Sequence, residues 1–146
     1  MDIKIEHIKK ADEAAYTQVW DLLGQLYLER PPVSFNVFKQ VVEANQVRIY
    51  VAVLEGKIVG TSSLAFYRKL CGDVWIIEDV VVDKTIRNKG IGTKLTERML
   101  QDARASGAEI VDLTTRSEDA RRFYMEKCGF KDKAEGRPFW GLRYTF

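Results

Sequence analysis

Apolar residues recur along this chain with two periods, one typical of helices and one typical of strands. Helical spacing follows Asp12 and Ser34, which suit N-caps, and predicts helices that end near Leu28 and Asn45. A third helix is predicted from Ile91 to about residue 106, and a fourth over residues 118–127. The predicted strands are 3–8, 48–54, 57–67, 74–82, 110–113 and 139–146.

The stretch 74–106 organises the rest of the chain. Its β-branched run is too apolar for simple alternation and predicts a strand buried on both faces, after which a glycine turn leads into the third helix. Because the strand 110–113 comes next, the three elements predict a right-handed crossover with two parallel strands. Earlier strands flank Glu55-Gly56 and predict an antiparallel hairpin. We therefore expect an α/β fold with a mixed central sheet of six to seven strands and about four helices.

Length and composition indicate one folded domain. A chain of 146 residues suits a single domain, 1–146, and 46% hydrophobic with 30% charged residues is typical of a globular protein. No apolar run approaches the roughly 18 residues that span a membrane, and the N-terminus lacks the apolar core of a signal peptide. We expect no membrane partner and a cytoplasmic location.

Charge and residue usage disfavour several kinds of site. The formal net charge is +2, and no basic run is interleaved with aromatic residues, so a nucleic-acid partner is not expected. The single histidine, His7, lies near the start of a strand, which disfavours Ser/His/Asp catalysis and a zinc site. Cys71 and Cys128 stand outside any Cys-x-x-Cys motif and are predicted to be buried free thiols. No metal is expected.

The glycine turn before the third helix predicts an anion site. The first N–H groups of a helix lack partners and lie at the positive end of the helix dipole. Gly90 and Gly92 let phosphate oxygens approach the main chain, and Arg87 and Lys89 add positive charge. The glycine turn matches neither a Walker loop nor a dinucleotide-binding fingerprint. The fingerprint is excluded because Leu95 stands where it requires a glycine. A tight structural turn is the alternative interpretation.

The remaining pattern, Arg87-Asn88-Lys89-Gly90-Ile91-Gly92, resembles the Arg/Gln-x-x-Gly-x-Gly/Ala loop of the GNAT superfamily of N-acetyltransferases. A later segment resembles the second motif of that family, although Ser117 stands where an asparagine is usual. The matching residues of that segment are Ala120, Phe123, Tyr124, Lys127, Gly129 and Phe130. The resemblance covers about residues 49–130 and implies an acyltransferase that uses acetyl-CoA as its cosubstrate.

The resemblance also implies how acetyl-CoA is held. The strand before the glycine turn and the strand after the third helix would splay apart, with the pantetheine arm between them. Main-chain groups of Val80 and Val82 would pair with that arm, which gives a physical reason for a bulge near Asp79. The implied cofactor-binding residues are Val80, Val82, Arg87, Asn88, Lys89, Gly90, Ile91, Gly92, Thr93 and Ser117.

The implied reaction is attack of a primary amine on the thioester carbonyl. An alkyl amine with a pKa of about 10 is neutral in only about one molecule per thousand at pH 7, so its proton must be removed or its pKa lowered. Glu78 is the favoured base, directly or through a water, and Asp79 is the alternative; substrate binding or loop support is the other role for these carboxylates. Tyr124 matches the tyrosine that protonates the leaving thiolate, with aromatic packing as its alternative role.

The acceptor is expected to be the amine of a small molecule (an amine, an amino acid or an amino sugar) or of a peptide. Its surroundings are expected near Tyr27, Arg30, Phe35 and residues 67–73. A noncatalytic module that senses acetyl-CoA is the alternative function, and a partner-binding domain without a cofactor is a third. The aromatic segment 139–146 suits pairing with a second copy, so a homodimer is also expected.

Overall fold

The computed structural model describes all 146 residues. The helices are α1 (Glu13–Leu26), α2 (Phe35–Val42), α3 (Ile91–Ala105) and α4 (Glu118–Lys127), with a short 3-10 turn at Lys84–Ile86. The strands are β1 (Ile3–Ile8), β2 (Val47–Leu54), β3 (Lys57–Lys69), β4 (Gly72–Val82) and β5 (Asp112–Leu113). Residues 1–114 form one compact unit and residues 115–146 a second. The single-domain organisation stays a prediction.

The five strands form one mixed sheet in the order β1-β2-β3-β4-β5. Strands β1 to β4 are antiparallel neighbours, and β5 runs parallel to β4. The parallel pairing is short, because only Ile76 and Ile77 of β4 have partners on β5, namely Asp112 and Leu113. The α/β class, the four helices, the hairpin and the parallel pair are therefore confirmed.

The prediction of six to seven strands is wrong, because residues 139–146 form no strand and the sheet has five. In addition, β5 is shorter than the predicted strand 110–113. Strand propensity becomes structure only where a neighbouring edge supplies hydrogen bonds and a packed face buries the side chains. The segment has neither, since its large apolar side chains are exposed, and so is Ile110 before β5. The exposed side chains of the segment are Phe139, Trp140, Leu142, Tyr144 and Phe146.

Helices cover both faces of the sheet in the first unit. The face toward α1 and α2 carries a continuous buried cluster that includes Val51 and Val81. Side chains alternate along a strand, so Gly60, which pairs with Ala52 and Val82, faces the other side, toward Ile91 and Leu95 of α3. The cluster under α1 and α2 contains Ala15, Val19, Leu22, Phe38, Val42, Ile49, Val51, Ile58 and Val81.

Polar contacts fix α3 against the sheet. The Tyr50 hydroxyl donates to the Asp102 carboxylate at 2.8 Å, and Arg98 donates to the same carboxylate at 3.1 Å and to the Ile5 carbonyl at 3.3 Å. Because these bonds join α3 to β1 and β2, they hold the helix axis in one orientation. The start of α3 is thereby placed beside the end of β4.

Gly60 lets α3 approach the sheet closely. A Cβ atom at this position would lie 3.2 Å from Leu95 Cδ1 and 3.3 Å from Ile91 Cγ2. We predict that Gly60→Val lowers the free energy of unfolding by about 1–3 kcal/mol, because overpacking displaces well-packed neighbours. Gly24→Ala is the control: no atom lies within 4 Å of the added Cβ in α1, so it should stabilise by up to about 1 kcal/mol. Urea unfolding measures both, and equal effects would contradict the packing role of Gly60.

Candidate active site

A β-bulge interrupts β4 at Asp79. Thr61 of β3 pairs with Val81 and Ser63 pairs with Glu78, so Asp79 and Val80 together oppose Ser62. Asp79 has φ +54°, in the left-handed region that aspartate enters more readily than most residues. The bulge predicted near this position is therefore confirmed. Bulges of this kind bend a strand and redirect its backbone groups.

The outer edge at the end of β4 carries backbone groups that pair with no strand, of which the Val82 carbonyl accepts from the Arg87 side chain. The Asp83 N–H donates to the Val59 carbonyl at 2.9 Å, which identifies Asp83 as facing β3. Because alternate residues of an antiparallel ladder face opposite edges, the N–H and C=O groups of Val82 and Val80 face away from β3. Pairing with β5 stops at Ile77, so no strand takes up these groups. This edge is suited to an extended ligand that pairs like a strand.

The bulge brings Glu78 and Asp79 into one electrostatic environment, whereas adjacent residues of a regular strand face opposite sides. Partial desolvation and then the Asp79 carboxylate raise the pKa of Glu78 above its usual range. The phenol of Tyr27 also interacts with both carboxylates. A carboxylate with a raised pKa accepts a proton more readily at neutral pH, which is the property a general base needs.

The end of α1 reaches the bulge through a hydrogen bond. The Tyr27 hydroxyl donates to Asp79 Oδ1 at 2.6 Å, and the guanidinium of Arg30 lies 5.5 Å from the centre of the Tyr27 ring. The bond to Asp79 raises the pKa of Tyr27 to about 12, with smaller contributions from burial and charge. The sequence predicts Tyr27 and Arg30 as acceptor surroundings but does not predict this contact. No local pattern signals it, because 52 positions separate the two residues.

The start of α3 forms a cradle of unpaired donors. Gly90 precedes the helix with φ +75°, a conformation that favours glycine, and it offers no side-chain cap. The first intrahelical bond runs from the Lys94 N–H to the Gly90 carbonyl, so the amides of Ile91, Gly92 and Thr93 remain unpaired. No acidic residue occupies the first turn. The donor set therefore fits a phosphate group.

The loop before α3 adds positive charge near those amides. Arg87 Nε donates to the Val82 carbonyl at 3.2 Å, which ties the loop to the end of β4. Asn88 has φ +64°, and the side chains of Asn88 and Lys89 are exposed. The loop start is fixed by Asp83, whose carboxylate accepts from the Thr85 N–H and hydroxyl, both at 2.9 Å. The structure thus brings the predicted residues 80–93 together along one edge of the first unit.

The second unit carries the other two predicted site residues. Tyr124 lies in α4, is buried, and makes edge contacts with Phe123 and Phe130 at centroid distances of 5.0 and 5.6 Å. Burial is the main cause that raises the pKa of its phenol to about 12. The group therefore stays protonated at neutral pH. The glycine cap predicted at the end of α4 is confirmed by Gly129 at φ +76°.

Ser117 caps the start of α4, as predicted, because its hydroxyl accepts from the Ala120 N–H at 3.2 Å. The Ser117 N–H in turn donates to the Thr115 hydroxyl at 3.1 Å. A role for Ser117 in cofactor binding stays a prediction. No group of three or more His, Cys, Asp or Glu side chains is arranged to hold a metal ion. None of the four helices combines the length and apolar character that crossing a bilayer requires.

Comparison with known proteins gives the family. Residues 12–130 match the acetyltransferase (GNAT) family model. The chain is 35% identical over 126 residues to the glucosamine 6-phosphate N-acetyltransferase of Arabidopsis thaliana, which covers 78% of this chain and 81% of the relative. It is 28% identical over 137 residues to the aminoalkylphosphonate N-acetyltransferase of Salmonella typhimurium, which covers 88% of this chain and 84% of the relative.

A solved structure of an acetyltransferase from Trypanosoma brucei has the same fold, with a TM-score of 0.79 and 30% identity over 99% of this chain and 100% of that chain. The family model, the sequence relatives and the fold agree on the family that the two motifs resemble. This chain is therefore an acyltransferase that belongs to the GNAT family of acetyltransferases.

Proposed function

We propose that this protein transfers the acetyl group of acetyl-CoA to the primary amine of a small molecule that also carries a phosphate or phosphonate group. The observation that carries the proposal is the bulge at Asp79, which joins two carboxylates for an amine to an open backbone edge for a cosubstrate. The acceptor class is favoured because the two relatives described above are named for a phosphorylated amino sugar and for an aminoalkylphosphonate. Both acceptors combine a primary amine with a phosphorus oxyanion.

The residues at the start of α3 fit acetyl-CoA. The unpaired amides of Ile91, Gly92 and Thr93, with the charges of Arg87 and Lys89, suit a diphosphate, since backbone donors and helix dipole act together there. The outward amide groups of Val80 and Val82 and the outward carbonyl of Val80 suit the extended pantetheine arm. The full set proposed to bind acetyl-CoA is Val80, Val82, Arg87, Asn88, Lys89, Gly90, Ile91, Gly92, Thr93 and Ser117.

Glu78 and Tyr124 supply the proton transfers in this proposal. Glu78 takes a proton from the attacking amine, directly or through a water, because its raised pKa suits a base. Tyr124 gives its phenolic proton to the leaving thiolate. A protonated phenol is available at neutral pH because burial raises the pKa of Tyr124 to about 12. The backbone N–H at Val80 is the donor proposed for the carbonyl oxygen as it gains negative charge.

The exposed aromatic segment 139–146 supports a homodimer. Five large apolar side chains in eight residues are exposed to solvent, and exposed apolar patches often mark protein interaction sites. Pairing with a second copy would supply both the strand edge and the cover that the segment lacks. Light scattering of the full chain gives its mass in solution and decides between monomer and dimer.

A thiol-release assay tests the function. Wild-type protein is mixed with acetyl-CoA and with matched acceptors: glucosamine 6-phosphate, glucosamine, 2-aminoethylphosphonate, ethanolamine, amino acids and a lysine peptide. We expect thiol release with the phosphorus-bearing amines and kcat/KM at least tenfold lower with their unphosphorylated counterparts. Equal turnover with and without the phosphorus group would contradict the acceptor class. Tight acetyl-CoA binding with no acceptor turnover would favour the sensor function.

Gly92 offers a test of the cradle by charge. We predict that Gly92→Asp weakens coenzyme A binding about tenfold or more, because the new carboxylate faces the diphosphate at close range. Folding should be preserved, since an acidic residue in the first turn of a helix favours the helix dipole. Isothermal titration calorimetry measures the affinity, and Gly92→Ala controls for the added Cβ. An unchanged affinity in a folded Gly92→Asp protein would remove the cradle from the binding site.

Tyr124 is tested by removing its hydroxyl alone. Tyr124→Phe keeps the ring contacts with Phe123 and Phe130, so we predict unchanged coenzyme A affinity. Turnover should fall about 10²- to 10⁴-fold, the typical contribution of a general acid. Steady-state kinetics and calorimetry on the same preparation separate the two effects. Full turnover in the variant would leave Tyr124 with a packing role only.

Glu78 should set the acidic limb of the pH profile. The carboxylate must be ionised to accept a proton, so kcat should rise with pH through a value above 4.5, the ordinary pKa of glutamate, because the folded protein raises it. Glu78→Gln should remove this limb and lower kcat at neutral pH about 10²- to 10⁴-fold. Glu97→Gln, an exposed change on α3, is the control. Persistence of the limb in Glu78→Gln would assign it to another group.

A further inference from the structure

Tyr27 lies between two charged side chains, Asp79 and Arg30, to which the proposed reaction gives no shared role. It is the C-cap residue of α1, and its hydroxyl donates to Asp79 Oδ1 at 2.6 Å. On the other side, the guanidinium of Arg30 lies over its ring at 5.5 Å. One side chain therefore contacts both an anion in the β4 bulge and a cation beyond the end of α1.

Both contacts are held by the backbone as well as by the side chain. The Tyr27 N–H donates to the Leu23 carbonyl at 2.8 Å, which closes the last turn of α1. The Arg30 N–H donates to the Tyr27 carbonyl at 3.2 Å, so Arg30 follows Tyr27 in a closed turn. The bulge places Asp79 at a left-handed position within a strand. These restraints limit the freedom of the three side chains relative to each other.

The hydrogen bond from Tyr27 engages one of the two carboxylate oxygens of Asp79. Oδ1 accepts from Tyr27, while Oδ2 accepts from no group of the protein. Because a carboxylate is planar, fixing one oxygen fixes the direction in which the other points. Glu78 lies next along the strand, so Oδ2 and the Glu78 carboxylate form an acidic pair that suits an ammonium group.

We propose that Tyr27 is the positioning residue of the acceptor site: its hydroxyl orients Asp79 toward the acceptor ammonium, and its ring holds Arg30 where it binds the acceptor's phosphate or phosphonate. This inference rests on the proposed function and adds to it the residues that select a zwitterionic amine. Arginine suits the anionic end because its planar fork matches phosphorus oxyanions. A cation held over an aromatic face keeps its N–H groups free at the edge of the guanidinium.

The charges around Tyr27 agree with this role. Asp79 and Glu78 on β4 raise the pKa of its phenol, and Arg30 lowers it by a smaller amount, with a net value of about 12. The hydroxyl therefore stays protonated, and available as a donor to Asp79, throughout the neutral range.

Matched variants and matched acceptors test the two contacts separately. Tyr27→Phe removes the hydroxyl and keeps the ring, and Arg30→Gln removes the cation. Tyr27→Leu removes both the hydroxyl and the ring that contacts Arg30. Tyr16→Phe is the control, because Tyr16 lies on the same helix and its hydroxyl also donates at 2.6 Å, but to the Val33 backbone carbonyl. The acceptors are glucosamine 6-phosphate and glucosamine, assayed for thiol release with saturating acetyl-CoA.

The two contacts predict different patterns. Tyr27→Phe should raise KM about 10- to 100-fold for both acceptors, the effect of losing a hydrogen bond to a charged group, with a smaller change in kcat. Arg30→Gln should raise KM about tenfold or more for glucosamine 6-phosphate only, so that the preference for the phosphorylated acceptor disappears. Tyr27→Leu should combine both effects. Tyr16→Phe should leave both KM values within twofold, even if it lowers the melting temperature.

The outcomes separate this inference from the function on which it rests. Wild-type turnover of glucosamine 6-phosphate with unchanged KM in Tyr27→Phe would overturn the role of Tyr27 and leave the proposed function intact. Wild-type protein that acetylates neither acceptor would overturn the proposed acceptor class, and the inference with it. A double-mutant cycle of Tyr27→Phe and Asp79→Asn in urea needs no activity. Additive effects in that cycle would also overturn the inference, because the two groups would then be uncoupled.

Discussion

The bulge in β4 is the constraint on which the rest of the site depends. One extra residue, taken up as Asp79 in a left-handed conformation, changes which edge each later backbone group faces. It also brings Glu78 and Asp79 into mutual electrostatic contact instead of leaving them on opposite faces. Pairing with β5 ends at Ile77, immediately before the bulge. The acidic pair and the start of the open edge therefore lie at the same place on β4.

Charge is divided along this strand in a way that suits two different ligands. Beyond Val82 the chain presents amides and the side chains of Arg87 and Lys89, and no carboxylate lies in the first turn of α3. Before Val80 it presents carboxylates, one of which accepts from Tyr27. An anionic diphosphate and a cationic amine are therefore attracted to opposite ends of one short backbone segment. The two attractions orient the ligands before any chemistry takes place.

Elements with strong local signals were predictable from sequence. The caps Asp12, Ser34 and Ser117 all accept the expected bond from an N–H three residues later, because capping depends only on nearby atoms. The segment 139–146 failed for the opposite reason, since a strand depends on a partner edge that its own residues do not encode. The Tyr27–Asp79 contact likewise could not be predicted from local sequence, because only the whole fold brings these two residues together.

The bulge has a conformational cost that the surrounding structure must offset. Asp79 gives up a strand conformation, and the Ser62 hydroxyl opposite it is buried without a hydrogen-bond partner. Such features each cost on the order of 1–3 kcal/mol and persist only where surrounding structure determines them. Here β3 pairs with β2 on one side, and α3 is held to the sheet through Tyr50 and Asp102. The paired strands and the anchored helix therefore stabilise the bulge, and the proposed chemistry takes place there.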